Sequence, residues 1–112
     1  MVMANTEYIR PSRLERLADI LQDHPYLDLE SLNETFAPGT FGCHEALHAT
    51  SMVTVTINDQ LLGHAAIAAN PEWFKLAQSA FDSLIALYHA IGSEHFPAMQ
   101  AAESRAEPRL SA

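Results

Sequence analysis

His44-Glu45-Ala46-Leu47-His48 sets two imidazoles one helical turn apart with a carboxylate between them. On a helix both histidines project from the same side, so both can reach one ion at the zinc–nitrogen distance of about 2.0–2.1 Å. An ion held there would acidify a bound water, and Glu45 would be placed as its general base. His44 and His48 are therefore candidate metal ligands, Zn is the candidate cofactor, and Glu45 is the candidate catalytic residue of a zinc-dependent hydrolase. Cys43, the sole cysteine, precedes them. A thiol at a helix start beside a histidine could be reactive, but Cys43 falls on the apolar side of the pattern, which assigns it to packing.

These five residues resemble the H-E-x-x-H motif of the zincin metallopeptidases, and the resemblance stops at them. The longer metzincin pattern is not continued, because Ser51 stands where its glycine would be and Thr54 where its third histidine would be. A gluzincin-like third ligand would be Glu72, yet an unbroken helix sets it roughly 36 Å along the axis from His48. The edge strand that binds substrate in such peptidases has no counterpart in the pattern. Closing ligands would have to come from whatever packs near the start of the helix. Glu94 and His95 would come from an antiparallel return, Asp23, His24 and Asp28 from the N-terminal side, and a second His44–His48 pair from a symmetric copy.

The elements that would position this motif read as helices. Ser12-Arg13-Leu14-Glu15 is a capping box; Leu14, Leu17, Ala18 and Leu21 follow on one face until Asp23-His24-Pro25 ends the helix. Asp28 can cap two further turns carrying Leu29, Leu32 and Phe36. After the break at Ala37-Pro38-Gly39, Thr40 caps the central element. Val53-Thr54-Val55-Thr56-Ile57 alternates like a strand and is β-branched throughout. No second strand exists for it to pair with, so one helix is expected from about Phe41 to about Ala68, with an irregularity at the threonines or at Gly63. Asn70-Pro71-Glu72 starts another, with Gly92 its natural stop and 97–112 a flexible tail. Tyr8 and Ile9, in an otherwise flexible stretch 1–10, could tuck against the body, and 11–96 forms one domain. The fold class is thus all-α: an antiparallel hairpin of about 41–68 and 71–91, covered by one or two shorter N-terminal helices, in a small bundle.

Along the central helix, Cys43, Ala46, Leu47, Val53, Ile57, Leu61, Ala65 and Ala68 share one face, expected to meet the Trp73–Ile91 helix. His44, His48, Ser51, Met52, Val55, Asp59 and Leu62 form a second stripe. Its apolar members would lie in water unless the N-terminal segment or another subunit covers them. His44, His48, Met52, Val55, Asp59 and Leu62 are accordingly the expected binding interface, and a homo-oligomer is the expected state. His64 and His89 read as ordinary, partly exposed residues.

Composition narrows the function classes. The net charge is −8, and no Lys or Arg occurs between Arg16 and Lys75, while Asp28, Glu30, Glu34, Glu45 and Asp59 fall in that interval. Such a middle repels phosphates, which argues against direct nucleic-acid binding. It suits a partner protein with a basic surface. No apolar run reaches the roughly 18 residues of a membrane span, and no signal-peptide pattern opens the chain, so the cytoplasm is the expected compartment. The sequence therefore points to a small acidic helical interaction protein without catalytic activity, acting on itself and on another protein as inhibitor, sequestering module or adaptor. The zinc hydrolase is the alternative.

Overall fold

The computed structural model describes residues 12–111, from residue 106 onward as backbone alone. The expectations for 1–10, including the Tyr8–Ile9 staple, lie outside the described residues. The fold is all-α, with no strand among the described residues. The chain divides into two compact units, Met1–Glu34 and Thr35–Ala112.

In the first unit, α1 (Arg13–Asp23) opens with the expected capping box: the Ser12 hydroxyl accepts from the Glu15 N–H at 3.1 Å, and the Ser12 N–H donates to Glu15 Oε1 at 2.8 Å. Leu17 and Leu21 are half-buried, but Leu14 is 68% exposed. Asp28 opens α2 (Leu29–Thr35) in the same reciprocal way, accepting from the Ser31 N–H at 2.8 Å while its own N–H donates to Ser31 Oγ. These bonds favour the charged carboxylates. The Ser12 N–H, then its hydroxyl, hold Glu15 below its ordinary range. Ser31 does the same for Asp28, chiefly through its N–H.

A carboxyl whose folded pKa is depressed contributes stability that is present above its unfolded value and lost as pH falls through the folded one. The first turn of α1 should therefore loosen on acidification below about pH 4. Glu15→Gln, which keeps the acceptor and removes the titration, should flatten that dependence. Amide shifts of residues 12–16 followed against pH check it; an unchanged profile in the variant would exclude the capping box as its source.

The second unit is a helical hairpin. Thr40 Oγ1 accepts from the Cys43 N–H at 3.2 Å and caps α3 (Phe41–Thr56). The β-branched run 53–57 is helical, and the threonine hydroxyls in and before it are satisfied within the helix. Thr50 Oγ1 donates to the Ala46 carbonyl (2.8 Å), Thr54 to Thr50 (2.7 Å) and Thr56 to Met52 (2.9 Å). The single helix expected to about Ala68 is interrupted: between the threonines and Gly63, Ile57–Leu62 forms a π-helical turn, where the Gly63 N–H reaches back five residues to the Asn58 carbonyl at 3.1 Å. His64 then leaves the helical region, and its Nδ1 accepts from the Ala66 N–H to cap α4 (Ala65–Ala69). Asn70 Oδ1 accepts from the amides of Glu72 and Trp73 to start α5 (Pro71–Ser111).

Two expectations change. Gly92 does not stop α5, which runs on through Pro97 to Ser111. Gly92 is buried at a negative φ, so it is packed inside a helix and not used as a cap. The inner face of α3 is Cys43, Leu47, Thr50 and Thr54, while Val53 is 49% and Leu61 37% exposed, and Ala46, Ala65 and Ala68 are also exposed. Hydropathy hides the threonines: with the hydroxyl bonded to its own helix, each is buried as a small apolar residue would be.

The pairing of α3 with α5 is antiparallel. Gly39 meets Ala98, Leu47 lies beside Gly92, and Thr54, Val55 and Asn58 share a groove with Phe81, Ile85 and Tyr88. At Gly92 a Cβ would meet only ordinary contacts, Phe96 at 3.4 Å and Leu47 at 3.9 Å. Gly92→Ala should therefore stabilise the protein by about 0.5–1 kcal/mol through helix propensity, read from the urea midpoint; destabilisation would mean the Leu47–Phe96 packing cannot yield.

Candidate functional site

The H-E-x-x-H residues lie on the outer side of the first turns of α3. His44, Glu45 and His48 are all exposed, and with Phe41, Ala49 and Met52 they line one open groove of about 580 Å³. Phe41 is 76% and Met52 56% exposed. The groove thus combines two imidazoles and a carboxylate with bare apolar surface. Cys43, on the opposite side of the same turn, is buried and free. Its sulfur belongs to the inner face, as the pattern implied.

Further along the same side, Val55 is 54% exposed, Asp59 is exposed and Leu62 is half-buried. Asp59 accepts a hydrogen bond from its neighbour Asn58 at 3.2 Å. Between α3 and α5 a second groove of about 420 Å³ is lined by Ser51, Thr54, Val55, Asn58, Phe81, Ile85 and Tyr88, with no charged side chain. The π turn widens the helix where Asn58 enters this lining.

His95 reaches the level of His44, as an antiparallel return implied; its burial is what the sequence reading missed. It is wholly buried, the largest such side chain among the described residues. Its Nδ1 accepts the Gly39 N–H at 3.0 Å, while Nε2 is buried without a partner. With Nδ1 accepting, the proton of the neutral ring sits on Nε2. The His44 ring lies 5.5 Å away, centroid to centroid. Gly39 meets this contact at φ 91°, a conformation costly for other residues, and a Cβ there would stand 3.0 Å from that of Ala98. The return of α5 therefore brings His95 to the start of α3, and fastens the Pro38-Gly39 turn against it.

Of the other residues considered as closing ligands, Glu94 is exposed on α5, and Glu72 stands at the far end of the hairpin from His44. Asp23, His24 and Asp28 belong to the first unit. Among the described residues no three His, Cys, Asp or Glu side chains gather into a metal-holding group. The arrangement brings together His44, Glu45 and His48, and sets His95 behind His44.

The chain matches no protein-family model, no curated protein and no solved structure. Its function must be reasoned from its own surface. No helix among the described residues is long and apolar enough to cross a membrane.

Signals for the overlooked residues were present. Thr50 and Thr54 continue the Cys43–Leu47 spacing at the next two turns. His95 continues the Leu84–Tyr88–Ile91 stripe by helical steps, once the helix is allowed past Gly92.

Proposed function

We propose that this chain is a non-catalytic helical interaction protein that acts as a homo-oligomer. One observation carries the reading. Among the described residues four apolar side chains are buried, Leu32, Cys43, Leu47 and Ala77, while fourteen large ones are exposed. Complete burial of one large apolar side chain contributes about 1.5–3 kcal/mol. A hairpin that leaves Phe41, Met52, Val55, Trp73, Leu76 and Leu87 outside forgoes most of that contribution. Such faces mark association surfaces, and α3 and α5 both carry them. The acidic run between Arg16 and Lys75 suits a further partner with a basic surface, for which the oligomer would act as inhibitor, sequestering module or adaptor.

Association that completes the core makes stability depend on protein concentration. The melting temperature is expected to rise by several degrees between micromolar and hundred-micromolar protein. An invariant melting curve would count against the proposal.

The zinc-hydrolase alternative is favoured by one feature, the shared groove of His44, Glu45 and His48. It is separated by metal analysis of protein purified without added metal. Zinc that is present in the wild type and lost in His48→Ala would move the reading there; protein without bound zinc in both would remove it.

A further inference from the structure

We propose that two copies pair through α3, antiparallel across a twofold axis that passes between Ser51 and Met52; this rests on the homo-oligomer reading above. The exposed stripe of α3 and the π turn that follows it is self-complementary at its two ends about that point, counted in residues. His44 stands as far before it as Asp59 stands after it, and His48 as far before it as Val55 after it. In a twofold interface the same patch serves both copies, so each residue faces its counterpart reflected through the axis. An antiparallel pair would set the His44 imidazole of each copy opposite the Asp59 carboxylate of the other and His48 opposite Val55, with Met52 next to the axis. All five are exposed; Asp59 already accepts the Asn58 hydrogen bond, and the His44 ring lies 5.5 Å from that of His95.

Charge favours this face. Two chains of −8 repel each other, and the pairing places acid against imidazole at both ends of the seam, not acid against acid. Shape favours it as well. The uncharged groove of Val55, Phe81, Ile85 and Tyr88 borders the seam and offers an apolar seat for side chains of the second copy.

The test combines cross-linking with mass. In a Cys43→Ala background, Met52→Cys lies next to the axis and should form a disulfide-linked dimer in most of the protein on mild oxidation, whereas Leu87→Cys should not. Independently, with Cys43 intact, Asp59→Arg should weaken the dimer at least tenfold, and adding His44→Asp in the same chain should restore most of the loss. Native mass spectrometry of the wild type separates the two levels. A monomer overturns both this pairing and the oligomer reading. A dimer that cross-links through Leu87→Cys and not Met52→Cys, or one indifferent to Asp59→Arg, overturns the α3 seam and leaves the oligomer standing.

Discussion

His95→Ala is expected to destabilise the protein by about 4 kcal/mol, the largest loss of any single substitution considered. Two effects add. Truncating a buried ring leaves a cavity, which costs roughly 3–5 kcal/mol for an aromatic side chain. The Gly39 N–H also loses its acceptor, and an unpaired buried amide costs about 1–3 kcal/mol. The missing Nε2 partner offsets part of this, since its removal relieves one unsatisfied group. Two further variants separate the contributions. His95→Asn keeps an acceptor near Nδ1 and loses volume; His95→Phe keeps the ring and removes both nitrogens. Each should lose less than alanine. Urea unfolding at fixed protein concentration reads all three. Equal losses for alanine and phenylalanine would mean that the hydrogen bond to Gly39 carries the site and the packing does not.

Leu47→Ala should follow, at about 3 kcal/mol. Leu47 is 3% exposed, in the inner face of α3 between Cys43 and Thr50, and its side chain reaches Gly92 of α5. Leucine-to-alanine changes at such sites cost roughly 2–5 kcal/mol according to how far the surroundings collapse. Set against a total of about 5–15 kcal/mol for a domain, this loss would leave the hairpin marginal. Val53→Ala is the control. Hydropathy places it on the same face, but it is half exposed and should lose under about 1 kcal/mol. Comparable losses at 47 and 53 would show that the inner face of α3 is turned from the one described.

These two positions also measure what the residue pattern conveys. Helix starts were legible at Ser12, Asp28, Thr40 and Asn70, where a side chain closes on a nearby amide, because that chemistry is local; the His64 cap of α4 was not. The helical state of 53–57 followed from the lack of a strand partner, against local propensity. What the pattern did not convey depends on packing across the hairpin. Thr50 and Thr54 are inside because their hydroxyls are satisfied along their own helix, and Val53 is outside because that face was already taken. Gly92 reads as a stop, but α5 runs through it at a negative φ, and Pro97 does not end α5 either. Of the candidate site, the shared side of His44 and His48 was legible from their spacing. The burial of His95 behind them was hidden by the helix end expected at Gly92, since only a helix carried past that glycine sets His95 on the Leu84–Tyr88–Ile91 stripe.

The central claim, that the exposed faces of this hairpin are covered by another copy of the chain, is tested most directly by sedimentation equilibrium of the full chain at micromolar concentration. A mass at least twice the 12.3 kDa of one chain is expected, shifting toward the single-chain value on dilution. A mass of one chain, unchanged up to hundreds of micromolar, would contradict it.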